Sequence, residues 1–204
     1  MPKQQRGIDV REKLFHAAID EFATHGVAGS RVENIVDRAG TSWGTFFRYF
    51  PRKEDVLLYA SADHFRERVR PAADRGLADS STPVRAVCHD VLSEMLNPRF
   101  DPRIHAEAIN ETIRHPVRFA AILGEGEMPL AALIVELISE GQRRGEVRAD
   151  KEAFDCGVVL TAGVIFSTVR VLQGVAAGLM EFTEIQPVAD RAFEIAWTGV
   201  GDRA

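Results

Sequence analysis

The chain has 204 residues, 46% apolar and 27% charged, with a formal net charge of −5, the balance of a folded globular protein of one or two domains and too apolar for a disordered chain. Its two cysteines, Cys88 and Cys156, lack CxxC spacing, which excludes a disulfide-dense secreted scaffold and a cysteine zinc finger. The polar start MPKQQRGIDVREK has no apolar secretory region, so a reducing cytoplasm is the expected location.

The elements read as helices nearly throughout. Phe15, Ala18, Ile19, Phe22 and Ala23 recur at helical spacing, and His25-Gly26 supplies a stop. Ser30-x-x-Glu33 has the form of a capping box before the stripe Val32, Ile35, Val36 and Ala39, and Gly40 suits a left-handed helix end. Thr41 or Ser42 can cap a third helix from Trp43, which Phe50 ends because it precedes Pro51. Two short helices joined by a tight glycine turn form a helix-turn-helix pattern.

A fourth helix is expected from Pro51, with Glu54 and Asp55 in its first turn, to about Arg70 before Pro71. Val84, Val87, Cys88, Val91, Leu92 and Met95 form the next stripe, interrupted at Asn97-Pro98. Leu130, Leu133, Ile134, Leu137 and Ile138 form another, ending at Gly145. Ile185, Ala189, Ala192, Phe193, Ala196 and Trp197 form the last, behind a Thr183-x-x-Gln186 box. No strand or fixed repeat emerges, so the fold class is all-α.

From Cys156 to Met180 the chain carries a single charge, Arg170. That length can span a bilayer, but the uncharged run before Arg170 is short and rich in glycine. No membrane association is therefore expected, and a helix apolar all round belongs in a core or a subunit interface.

Charge is uneven. Residues 1–60 carry nine Lys/Arg and eight Asp/Glu, a net of +1 against −6 for the rest, and residues 38–53 hold Arg38, Arg48, Arg52 and Lys53 with no acid. A local positive surface can attract a polyanion despite an acidic whole.

The residues AGTSWGTFFRYFPRKEDVL at 39–57, with the preceding SRVENIVDR, resemble the DNA-binding signature of TetR/AcrR-type transcriptional regulators. Ala39-Gly40, Ser42, Gly44, Phe50, Lys53-Glu54 and Val56-Leu57 fall in register with it. Phe47 replaces the usual Tyr, Tyr49 the usual His, and Arg31 the usual second Thr. The resemblance implies an N-terminal three-helix helix-turn-helix domain, placed at 1–53, and a larger helical effector-binding and dimerisation domain, placed at 54–204.

Short or adaptable side chains at the start of a recognition helix meet base edges in the major groove, while flanking donors hold phosphates. Gly44 permits close backbone approach, Thr45 offers a hydroxyl and a methyl, and Trp43 can lie on thymine methyls, with Ser42 and Phe47 beside them. Arg48 reaches a guanine or a phosphate. Tyr49, Lys53, Ser30 and Arg31 are the expected phosphate contacts, the last three aided by helix N-termini. Because Phe47 lacks a phosphate-donating hydroxyl, a second reading is a small-molecule-binding helical protein of the same fold that no longer binds DNA.

The resemblance further implies a homodimer on palindromic double-stranded operator DNA, most simply as a repressor, released by a small-molecule effector. Gly174-x-x-x-Gly178 permits close helix approach, and Val164, Phe193 and Trp197 join it as candidate interface residues. Met95, Phe100, Phe119, Met128 and Phe166 suit a lipophilic ligand, and Arg170 an anionic ligand, an acid across the dimer or in its own subunit, or water reached by snorkelling. No cofactor or metal is expected, and no catalytic role. GxSxG, Walker and HExxH motifs are missing, His105-x-Glu107-x-x-x-Glu111 has no dedicated metal spacing, and Cys88-His89-Asp90 would point apart on a helix.

Overall fold

The structure is a computed structural model that describes residues 3–124 and 129–201. The described elements are helices, with one isolated antiparallel bridge from Val147 to Gly201. The first, α1 (Lys3–Gly29), breaks at Gly26, whose φ of 70° lies in the left-handed region that glycine adopts without strain. Its buried face is Leu14, Ala17, Ala18 and Phe22, with Phe15 and Ile19 at the edge and Ala23 exposed. The expected stripe is therefore rotated by about one residue.

α2 (Val32–Ala39) ends as the sequence implies. Gly40 takes φ 64° and the Thr41 N–H returns to the Val36 carbonyl at 2.9 Å, the Schellman arrangement. Its start differs from the expected capping box. Arg31 occupies the cap position, while the Ser30 hydroxyl donates to the Val27 carbonyl at 2.7 Å. Glu21, buried in α1, takes over this role. Its carboxylate accepts the Arg31 N–H at 3.3 Å and the Asn34 amide at 2.8 Å. Burial pulls the Glu21 pKa upward, but these bonds and the charges of His25 and Arg38 outweigh it, so the net shift is downward.

α3 (Trp43–Tyr49) is capped by Ser42, whose hydroxyl accepts the Thr45 N–H at 3.3 Å, and the extended Phe50 ends it before Pro51. Phe22, Ile35, Phe46 and Phe50 form a closed apolar core with Val56, Leu57, Ile104 and Ala108. The last four come from α4 (Asp55–His64) and α7 (Pro102–Arg114).

The fourth helix does not stop at Pro71. A π-helical turn, Phe65–Val69, follows α4 and leads into α5 (Arg70–Ala78), with the Arg70 N–H reaching back five residues to the Phe65 carbonyl. The wider turn shifts the bonding register where proline removes a donor, so the helix continues instead of breaking.

α6 (Val84–Leu96), α8 (Pro116–Leu123), α9 (Leu130–Arg144), α10 (Ala153–Ala176) and α11 (Ile185–Val200) complete a bundle around a second core that includes Leu92, Leu133, Leu137, Leu160, Leu172 and Phe193. α10 packs between α9, α7 and α11. Thr183 and Gln186 form no box before α11. Glu181 and Glu184 cap the short turn Phe182–Glu184 reciprocally, and Gln186 donates to Asp190 and Ser93. By length and composition α10 is apolar enough to cross a membrane, yet Leu160, Val164, Thr168 and Leu172 on it are buried in the bundle.

Candidate nucleic-acid interface and apolar cavity

The exposed face of α3 is apolar and smooth where most helix surfaces are charged. Trp43 is 47% and Phe47 37% exposed, one helical turn apart with ring centroids 5.3 Å apart, while Phe46 between them is fully buried. A Cβ added to Gly44 would meet no atom within 4 Å. No described residue thus requires glycine there, and the position is open to a close approach from outside. The hydroxyls of the exposed Ser42 and the half-buried Thr45 lie 3.0 Å apart and form a polar edge at the helix start.

Basic groups flank this face. Arg31 is exposed, and the exposed Arg48 guanidinium lies 5.0 Å from the ring centroid of the half-buried Tyr49. Lys53 donates from Nζ to the Ser30 carbonyl at 3.0 Å, which ties the entry to α4 to the start of α2 and leaves two ammonium hydrogens. Ser30 itself is buried with its hydroxyl committed to Val27, so the expected phosphate contact through that side chain does not stand. The acid-free run of sequence is also not an acid-free surface. Arg38 turns to Asp20 and Glu21 on α1, at 3.5 and 4.0 Å, and Arg52 pairs with Glu54 at 3.8 Å.

Behind this unit, α4, α7, α8, α9 and α10 line a half-open cavity of about 380 Å³. The structure gathers four of the proposed ligand residues into its wall: Met95, Phe100, Phe119 and Phe166, the last 70% exposed and thus at the rim. Met128 lies outside the described residues. Arg170 is not in the wall. It points to solvent from α10, because the helix turns its inward face one step away at Thr168 and Val171. Residues not anticipated from sequence complete the lining, notably His64, His105, Ile109 and Thr161. His105 lies in this wall, away from Glu111, which pairs with Arg114 and His115.

Burial lowers the His105 pKa to about 4, aided by the neighbouring His64, whose ring centroid is 5.0 Å away. Its Nε2 faces the Met95 carbonyl at 3.2 Å. The triplet Cys88-His89-Asp90 diverges. Cys88 is in the core, where burial pushes its thiol up to about 12, and His89 faces Asp190 on α11 at 3.1 Å.

The candidate interface residues are redistributed as well. Val164 and Phe193 point into the protomer's own core, and Trp197 stacks on Phe193 at 5.6 Å. Gly178 lies beyond the end of α10 with φ 71°, so it and Gly174 share no helix face. A Cβ on Gly174 would come within 2.6 Å of Met180 Sδ, so its small size serves the chain's own reversal. The exposed apolar residues of α10 and α11 are instead Phe154, Val158, Val159, Phe166 and Ile195. Sequence reasoning placed none of them on an exposed face, naming Phe166 only as a ligand candidate, because both helices are apolar on more than one face.

Residues 14–60 match the bacterial regulatory proteins of the tetR family. The HTH-type transcriptional regulator YdgC of Bacillus subtilis is 30% identical over 89 residues, 44% of this chain and 45% of that protein. The N-terminal region of the chain is thus similar to the tetR family of regulators. Another relative in its N-terminal region is the HTH-type transcriptional regulator RutR of Escherichia coli, 35% identical over 57 residues, 28% of this chain and 27% of that one. The chain thus matches less than half the length of these curated relatives.

Solved structures of TetR-family members share the fold along nearly the whole chain. Thermus thermophilus FadR, a TetR-family repressor solved with lauroyl-CoA, superposes with a TM-score of 0.70 at 22% identity, covering 95% of this chain and 96% of that one. SmeT, the repressor of the Stenotrophomonas maltophilia multidrug efflux pump SmeDEF, gives 0.57 at 20% identity over 96% of this chain and 94% of that one.

Proposed function

We propose that this chain is a TetR-type dimeric one-component repressor that binds a palindromic operator through α3 and is released when a small lipophilic effector occupies the cavity. The observation that carries this reading is the sharing of two helices between both sites. α4 gives Val56 and Leu57 to the core beneath the recognition helix and Ala60, Ser61 and His64 to the cavity wall. α7 likewise gives Ile104 to that core and His105 and Ile109 to the cavity. A ligand that favours one packing of these helices therefore biases the placement of α3.

A direct brace supports the same coupling. Arg118 of α8 donates to the buried Asp55 carboxylate at the start of α4, and that carboxylate also accepts the Arg52 N–H at 2.9 Å. α8 carries Phe119 of the cavity wall in the next position. In the proposed dimer, Val159, Phe166 and Ile195 on the outer faces of α10 and α11 meet their counterparts, burying apolar surface too large to leave in water. Two α3 helices then enter successive major grooves, about 34–36 Å apart.

Selection of random duplex DNA by the purified protein at physiological salt tests the reading. An enriched inverted repeat, with half-sites about one helical turn apart, is expected. A folded, dimeric protein that enriches nothing would instead favour the second reading, a ligand-binding protein of this fold without DNA affinity, to which Phe47 in place of a phosphate-donating tyrosine already lends weight.

A further inference from the structure

The cavity has no Asp, Glu, Lys or Arg among its described lining residues, so none of these residues compensates a ligand charge taken out of water. Its volume lies near the lower end of the range for small-molecule sites, which is roughly 300–1,000 Å³. Of the hydroxyl residues in its wall, Ser61, Thr112 and Thr161, the second is satisfied within its own helix. Thr112 of α7 donates to the Ala108 carbonyl at 3.0 Å, and further along α10 Ser167 and Thr168 donate back to their own helix.

Two polar atoms in the wall stand apart. His64 Nδ1 and Thr161 Oγ1 are buried, in residues only 4% and 5% exposed, and have no hydrogen-bond partner among the described residues. The chemistry of the first is determined by its ring. His64 Nε2 lies 2.7 Å from the Glu94 carbonyl, which can only accept, so Nε2 carries the proton. Burial lowers the His64 pKa against the opposing pull of that same bond, so the ring is neutral at pH 7 and Nδ1 presents a bare lone pair. Such an atom accepts a hydrogen bond, which a ligand hydroxyl in this cavity can donate. Thr161 can donate or accept, and so adapts to whatever oxygen comes near it.

We propose that the cavity takes a neutral lipophilic alcohol whose hydroxyl donates to His64 Nδ1, with the Thr161 hydroxyl as the second polar anchor. This rests on the reading of the cavity as the effector site and narrows it to a ligand class. A carboxylate offers no donor and brings a charge that the lining does not balance, and an ether or a hydrocarbon leaves the histidine lone pair unmet.

Equilibrium dialysis of labelled 1-decanol with the purified full chain at pH 8 tests the proposal, using 1-methoxydecane and decanoate as competitors. The expected result is saturable binding of 1-decanol at one site per chain, with the ether at least about tenfold weaker, the scale of one unmade buried hydrogen bond, and decanoate without effect. In His64→Phe the preference for alcohol over ether disappears. Thr161→Val, which keeps the shape of the wall, weakens alcohol and ether alike. Equal competition by the ether or by decanoate overturns the proposal while leaving a lipophilic effector cavity in place, and so does an alcohol preference that survives His64→Phe. If the folded protein binds none of the three probes, the effector reading falls and this inference falls with it.

Discussion

The recognition unit and the helical bundle solve opposite problems. Around α3 the apolar core is small and closed by Phe22, Phe46 and Phe50, and the residues proposed to act lie outside it, positioned by polar ties such as Glu21 to Arg31 and Lys53 to Ser30. In the bundle the core is larger but hollow, and the residues proposed to act face inward, with His64 and Thr161 left incompletely bonded. An outward site can be rigid before its partner arrives. An inward site must be loose enough to admit one, and helices common to both are where looseness in one can reach the other.

The largest expected effect tests whether the two regions are mechanically one body. Phe46→Ala should cost about 3–5 kcal/mol, as for a fully buried phenylalanine. The chain's two tryptophans, Trp43 and Trp197, lie one in each region, so single-tryptophan variants report each separately. Urea unfolding should show both midpoints moving down together, because α4 and α7 join the cores. A fall at Trp43 with Trp197 unmoved would sink the shared-helix argument.

The second prediction separates the regions by pH. An unfolded imidazole takes up its proton near 6.5, whereas folded His105 does so only at about 4. Between those values the unfolded state binds more protons, so stability falls as pH falls, by about 3 kcal/mol in all. The loss is complete once the folded ring also protonates, and His64 adds to it in the same direction. Glu21, with its pKa lowered, contributes stability that is retained above the ordinary carboxylate range near 4.5 and lost only below it. Acidification should therefore destabilise the whole protein first through the histidines of the bundle and only later through Glu21, and His105→Leu should remove most of the slope between pH 6.5 and 4. Flat stability over that window in the parent protein contradicts the assignment.

Legibility in the sequence follows the same division. Gly40, Ser42 and Phe50-Pro51 mark the ends of α2 and α3 because turn and cap geometry is local, depending on residues a few positions apart. Met95, Phe100 and Phe119 reach the cavity as expected from their softness and bulk. What periodicity does not carry is the rotation of a helix that is apolar on two faces. Arg170 outward, Val164 and Phe193 inward and Thr161 in the cavity wall depend on how α10 and α11 lie against their neighbours. Ser30 and Pro71 show the other limit. A carboxylate ten residues from Arg31 displaces a well-formed capping box, and a π turn makes room for a proline that by local rules ends a helix.

A smaller effect is expected at the joint between the regions. Arg118→Met leaves the Asp55 carboxylate buried beside α4 with one ionic partner fewer. Because Arg118 is about a third exposed, and Asp55 retains the Arg52 N–H, the cost should be about 1–2 kcal/mol, below that of breaking a fully buried pair. Effector release should suffer more than operator affinity, since the brace connects the cavity wall to α4 without touching α3. A variant whose operator binding falls while its release by ligand is unchanged would assign Arg118 to the recognition unit alone.

The smallest expected changes in stability, and the finest test of the outward site, come from Lys53 and Thr45. Lys53→Ala removes a half-buried ammonium that anchors to Ser30 and faces the phosphate side of the proposed interface. Its affinity loss should be similar for operator and unrelated duplex, and the slope of log affinity against log salt should fall by about 1, the signature of one phosphate contact. Thr45→Ala keeps the charge and alters a methyl and a hydroxyl beside Trp43, so its effect should depend on sequence and leave the salt slope unchanged. Anisotropy titrations across potassium chloride concentrations on both duplexes distinguish the two. If both variants lose the same affinity with the same salt slope, α3 holds DNA by charge alone, and the open space over Gly44 needs another explanation.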